Sequence, residues 1–157
     1  MGTNPTSAII AGVVILLCAV WLVYYYTGKG GPAPTEAWWY DMGTDKLYGA
    51  PGQPFPPDEA PSGAEAVKAK VYAERDCADP EDRFIVFLWK FTAEGKETML
   101  NSGGDIQLGI LTSATQMLVK TPDEDGWILR SPDERALLVQ DAASARGVKL
   151  IKCTKFE

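Results

Sequence analysis

Histidine is absent from the 157 residues of this chain. That removes the one side chain that titrates near neutral pH without help, the commonest metal ligand, and the middle member of Ser/His/Asp or Cys/His catalysis. Charge is also missing from everything before Lys29, so a net charge of −6, from 15 Lys and Arg against 21 Asp and Glu, belongs wholly to the rest. An acidic body of this kind repels phosphate backbones and anionic lipid as a whole, so nucleic acid is not an expected partner. Cysteine is scarce: of three, Cys18 lies in the uncharged stretch, which leaves Cys77 and Cys153 as the disulfide candidate. One disulfide in an oxidising compartment and two reduced, partly buried thiols both fit that count.

What is present first is an uncharged apolar run over residues 8–26, AIIAGVVILLCAVWLVYYY. At about 1.5 Å per residue it reaches roughly 28 Å as a helix, close to a hydrocarbon core, and a backbone in lipid must satisfy its own hydrogen bonds. It reads as a transmembrane helix, with Trp21 and Tyr24, Tyr25 and Tyr26 at the headgroup level. The tail over residues 1–7 has no basic n-region and nothing like A-x-A follows the apolar run before Tyr24, so a retained signal anchor is expected rather than a cleaved peptide. Leu17 before Cys18 argues against a lipoprotein box, and a span so close to Gly2 makes a myristoyl anchor redundant. Ala8, Gly12, Ile15 and Ala19 share one helix face, a small-residue strip that suits close packing of a second span and equally fits ordinary span composition.

A Gly/Pro tether over residues 27–37 then leads to a small soluble domain over residues 38–157, long enough for one core. The expected fold class is α+β, a mainly antiparallel sheet with one or two helices. Residues 38–48 read as a hairpin turning at Gly43 and Thr44, with positive φ at Gly43. The proline-rich stretch over residues 49–63 reads as an extended surface segment. Residues 66–73 and 84–91 read as paired antiparallel strands, although Phe84, Phe87, Leu88 and Phe91 also match a helical face. A helix capped by Thr92 is expected over residues 92–100, while residues 105–113 are apolar with no clear period. Residues 117–121 and 127–130 flank an acidic hairpin loop. Ser131, Pro132 and Glu134 open a helix to about residue 145, and residues 148–154 return as a strand.

Trp39-Tyr40-Asp41, Pro56-Pro57-Asp58-Glu59-Ala60-Pro61-Ser62-Gly63 and the strand segments leading to Cys77 and Arg83-Phe84-Ile85 carry a resemblance. Over about residues 38–92 the chain resembles a family of uncharacterised single-span bacterial envelope proteins with a W-Y-D hairpin and a P-P-x-x-A-P-S-G segment. The resemblance implies membrane anchoring and a domain outside the membrane; it implies no activity.

The remaining constellations have structural readings. Asp123, Glu124 and Asp125 lack the alternating ligands and closing Glu of a calcium loop. Glu81, Asp82, Asp133 and Glu134 sit where turns and helix starts want acids. Arg75 would lower the Cys77 thiol pKa, but Asp76 and Asp79 oppose it. Trp38, Trp39 and Tyr40 suit a sheet face or core as well as an interaction surface. The expectation is a single-pass, non-catalytic binding or structural subunit of a cell-envelope assembly. It would touch membrane lipid and other membrane or envelope proteins, with no cofactor, metal or small-molecule substrate. The alternatives are a thiol-disulfide type enzyme using Cys77 and Cys153, and a pilin-like filament subunit, which would need a processing site and a Glu that do not precede Ala8.

An inserted span resists alkaline carbonate whereas a surface-adsorbed helix is released. The full chain should therefore stay in the membrane pellet after carbonate washing, and its recovery in the supernatant would overturn the span.

Overall fold

The strand Glu65–Ala73 alternates small apolar residues with lysine and tyrosine, and that period of two puts Val67, Ala69, Val71 and Ala73 into one core cluster. It is β4 in the computed structural model, which describes residues 36–51, 55–103 and 105–154. The chain divides into two units between Thr35 and Glu36. Residues 8–26, with Ala8, Gly12 and Ala19, lie outside the described residues; among those described, no helix is long and apolar enough to cross a membrane.

The second unit is α+β: one antiparallel sheet and three helices. In chain order it runs β1 (Glu36–Asp41), β2 (Lys46–Pro51), β3 (Asp58–Glu59), β4, β5 (Arg83–Phe91), α1 (Ala93–Asn101), α2 (Ile106–Thr115), β6 (Met117–Lys120), β7 (Ile128–Leu129), α3 (Pro132–Arg146) and β8 (Ile151–Lys152). The sheet order is β2-β1-β4-β5-β6-β7, with β3 and β8 also bonded to β4. One edge of β4 is shared by β1, which faces residues 66–68, and β8, which faces residues 72–73. Opposite β5, the register shifts between Lys70 and Val71, so that Lys70 faces Phe87 and Val71 faces Ile85. Val86 is the extra residue of a β-bulge, and both Val86 and Phe87 join the same core cluster.

That second cluster, with Phe91, Met117 and Val119, packs against Leu138, Val139 and Ala142 of α3 and Met99 of α1. Fully burying Val67, Val71 or Val119 contributes about 1.5–3 kcal/mol each. The helix starts follow local chemistry. Thr92 Oγ1 accepts from Gly95 N–H at 3.0 Å. Ser131 and Glu134 form a reciprocal capping box, and Gly147, at φ 66°, closes α3 in the left-handed region. The apolar run after Asp105 is α2, started by the Asp105 side chain accepting from Leu108 N–H at 3.0 Å.

Four expectations need correction. The run Ile106–Thr115 adds a third helix where one or two helices were expected. The hairpin loop covers residues 42–45, and its positive φ is at Asp45 (54°), which tolerates that region, rather than at Gly43. The proline-rich stretch is not merely a surface crossing: Pro56 is fully buried, Ala60 is buried, the Pro56 carbonyl accepts from Phe91 N–H at 2.9 Å, and β3 pairs with β4. The last strand is shorter than residues 148–154, because Val148 N–H still bonds Ala143 O behind α3 and β1 already holds much of the β4 edge.

Cys77, on the β4–β5 connection, is joined to Cys153, just after β8, with a Cα–Cα distance of 5.4 Å and a sequence separation of 76. Closing a loop of that length removes chain entropy from the unfolded state worth about 4 kcal/mol. Cys153→Ser should therefore lower the thermal unfolding midpoint by several degrees, about as much as adding reductant does. Equal midpoints for parent and variant under oxidising conditions would show that the bond contributes nothing.

Candidate functional site

The two motif segments of the N-terminal half meet at one carboxylate. Asp41, at the end of β1 and buried, accepts on Oδ1 from Ser62 Oγ–H at 2.7 Å, Gly43 N–H at 2.9 Å and Thr44 N–H at 3.2 Å. The Ser62 hydrogen bond is the main reason its carboxyl is held below the usual range. Gly43 is required here for approach, since a Cβ would lie 2.6 Å from Ala64 Cβ. This junction fastens the hairpin to the turn before β4 through Oδ1 of the carboxylate.

Trp38, Trp39 and Tyr40 follow the strand alternation. Trp38 and Tyr40 pack with the β4 cluster, while Trp39 packs with Ala60 and Ala66 on the other face. With Trp38 at 7% and Trp39 at 3% exposure, the two indoles are core on opposite faces, while Tyr40 is half-buried, so the triplet does not form one surface. Cations sit over the indoles instead: Arg83 is 5.0 Å from the Trp38 ring, Lys68 is 5.3 Å from Trp39 and 5.5 Å from Trp89, and Lys90 is 4.5 Å from Trp127.

A cavity of about 810 Å³ lies beside α3, walled by Tyr40, Asp45, Arg83, Asp141 and Arg146 among others. Its cations are committed to structure. Arg83 donates to the carbonyls of Cys77 and Ala78, and Arg146 pairs with Glu74 at 3.2 Å while covering the Phe84 ring. Tyr40 donates to Asp45 at 3.2 Å, and burial, then Asp45, pushes its phenol pKa up, away from a role as a base. Among the described residues no group of His, Cys, Asp and Glu is placed to hold a metal ion. Cys153 is buried in the core, so the Cys77–Cys153 bond sits as a cross-link between β8 and the β4–β5 connection.

The feature that stands out chemically is α2. From Ile106 to Val119 the sequence carries no charge, yet Ile106 is 78% exposed, Ile110 66% and Leu111 60%, with Leu100 at the end of α1 57% exposed. Ile106 and Ile110 are one turn apart and share a face. The helix is fixed from behind: Thr112 is buried, Arg135 donates to the Ser113 carbonyl at 3.1 Å, and Gln116 accepts from Thr92 Oγ1–H at 2.6 Å and from Thr92 N–H at 2.9 Å. Sequence reasoning missed this face because an apolar run without polar alternation reads as core, and only the fold shows which side is left uncovered.

No family model matches the chain, and neither a curated protein nor a solved structure is significantly similar to it.

A carboxyl whose folded pKa is depressed supplies stability that is fully present above its unfolded pKa, about 3.9 for Asp, and is lost as pH falls through the folded value. Asp41→Asn should therefore lower the urea midpoint at pH 7, with the deficit shrinking as pH drops below about 4. Asp82, Glu124 and Glu134 are also held low, chiefly by backbone N–H donors, and act equally in both proteins, so the difference between the two curves isolates Asp41. Parallel curves from pH 7 to pH 2 would remove Asp41 from that role.

Proposed function

We propose that the chain is a single-pass membrane-anchored binding or structural subunit of a cell-envelope assembly, and that it acts through protein contact rather than catalysis. The observation that carries this reading is α2: Ile106, Ile110 and Leu111 stand exposed on a helix held from behind, and Leu100 at the end of α1 is exposed as well. Water penalises such a surface, and exposed apolar residues gathered on one helix suit association. Lys and Glu are depleted there in the way that the centre of a protein interface is depleted of charge.

Support for anchoring comes from residues 8–26 and from the W-Y-D and P-P-x-x-A-P-S-G segments, whose Asp41 and Ser62 are in direct contact. The domain is assigned to the outer side of the membrane, where the Cys77–Cys153 bond is chemically at home. A partner with an apolar patch of its own, carried by another envelope protein, fits the α2 face.

A photo-crosslinking residue at position 110 in the full chain, in membranes, should give a discrete protein adduct. Ile106→Glu should diminish that adduct without altering the thermal midpoint, since position 106 is 78% exposed. Absence of any adduct at position 110, or the same adduct from a crosslinker at Glu94 on the polar surface of α1, would overturn the reading.

A further inference from the structure

Trp39 is buried, yet its indole N–H meets no hydrogen-bond acceptor among the described residues. A buried donor left unpaired is costly, and a folded chain keeps one only where something else accounts for it. The residue is a wall of a cleft of about 380 Å³ between the hairpin and the β3 segment. Ala60 and Ala66, in one cluster with Trp39, also line it, as do half-buried Tyr48 of β2 and exposed Pro61, Asp58 and Glu59. Burial, then the charges of Asp41 and Asp58, push the Tyr48 phenol pKa up, so its hydroxyl keeps its proton at neutral pH and is a donor as well. On the β3 side the backbone is already committed. Ala60 N–H donates to the Ala64 carbonyl at 2.8 Å, the Ala60 carbonyl accepts from Gly63 N–H at 2.9 Å, and Pro61 has no N–H.

We propose that this cleft binds a proline-rich peptide segment carrying a lysine or arginine, with a peptide carbonyl of that segment accepting from the Trp39 indole N–H. The cleft offers side-chain donors, so the matching ligand supplies acceptors and adds few donors of its own. Proline does this: each one keeps its carbonyl and removes an N–H that walls of alanine and proline could not satisfy. A polyproline II segment makes no internal hydrogen bonds, which leaves its carbonyls free, and it is preformed, which lowers the entropy lost when it settles on an aromatic-lined groove. Asp58 and Glu59, exposed at the cleft, complement the cation. A sugar would instead bring many hydroxyls to walls that are largely alanine, proline and ring carbon, and so fits less well. The cleft shares no residue with the exposed α2 face, so this contact is a second one and does not rest on the assignment of that face.

The full-length chain, purified in neutral detergent, is titrated by calorimetry with a capped peptide Ala-Pro-Pro-Ala-Pro-Pro-Arg. Three further ligands are compared: a copy with alanine for every proline, a copy with glutamine for the arginine, and chitotriose as a neutral sugar. Saturable binding of the first peptide is expected, weakened about tenfold or more in the alanine copy and several-fold in the glutamine copy. Tyr48→Ala should weaken it about tenfold and Asp58→Asn combined with Glu59→Gln several-fold, whereas Glu97→Gln, exposed on α1, should leave it unchanged. In the isotope-labelled parent protein, which needs no variant to fold, the Trp39 indole N–H resonance should move as peptide is added. Failure of the first peptide to saturate, equal binding of the alanine copy, or an unmoved Trp39 resonance in a chain that binds peptide overturns the proposal. Saturation by chitotriose that is lost in Tyr48→Ala overturns it in favour of a glycan. None of these results touches the crosslink expected at position 110.

Discussion

Strand β4 carries the structure because it is asked to do two things with alternate residues. It bonds directly to β1, β3, β5 and β8, so most of the strands take their position from it. Its odd-numbered residues, Val67 to Ala73, are small or β-branched and fill a core too narrow for larger groups. Its even-numbered residues Lys68 and Lys70 place two long cationic side chains on the opposite face, where the Lys68 ammonium lies over the rings of Trp39 and Trp89. A one-residue slip in register would exchange the two sets and bury the lysines in the valine cluster, so pairing is fixed by energy as well as by turns.

Much of this was legible in the residues. The β4 alternation, the Thr92 cap and the Ser131–Glu134 capping box are local signals, and local signals survive folding because the groups that make them are within a few residues of each other. The segment Phe84–Phe91 was ambiguous for a physical reason: the bulge at Val86 breaks the period of two and sends neighbouring residues to one face, which imitates a helix. The turn at Gly43 was misread because its glycine answers to Ala64, distant in sequence, and not to its own φ. The burial of Pro56 depends on the end of β5, and the exposure of Ile106 and Ile110 depends on what the rest of the chain fails to cover. Neither is a property of a window of sequence.

Net charge proved the least transferable of the whole-chain quantities. A value of −6 describes the average surface, yet the gap between β1 and β8 is walled by three lysines, and four indoles each have a cation over their face. Such contacts replace carboxylate partners with ring quadrupoles. They let cations stand on apolar surface while several acids are spent on turns and helix starts, as Asp82, Glu124 and Glu134 show. Local potential at a cleft follows the few groups that face it.

The position of β1 bears on how the fold answers to force. Tension arriving along the chain ahead of Glu36 enters a strand that is bonded to β2 on one side and to β4 on the other. Ladder hydrogen bonds run perpendicular to the strands, so a pull along β1 loads several of them in shear together instead of opening them one after another. Cys77–Cys153 staples β8 near the far end of β4, so both ends of the central strand are cross-braced. Such a layout resists a pull applied at the first strand.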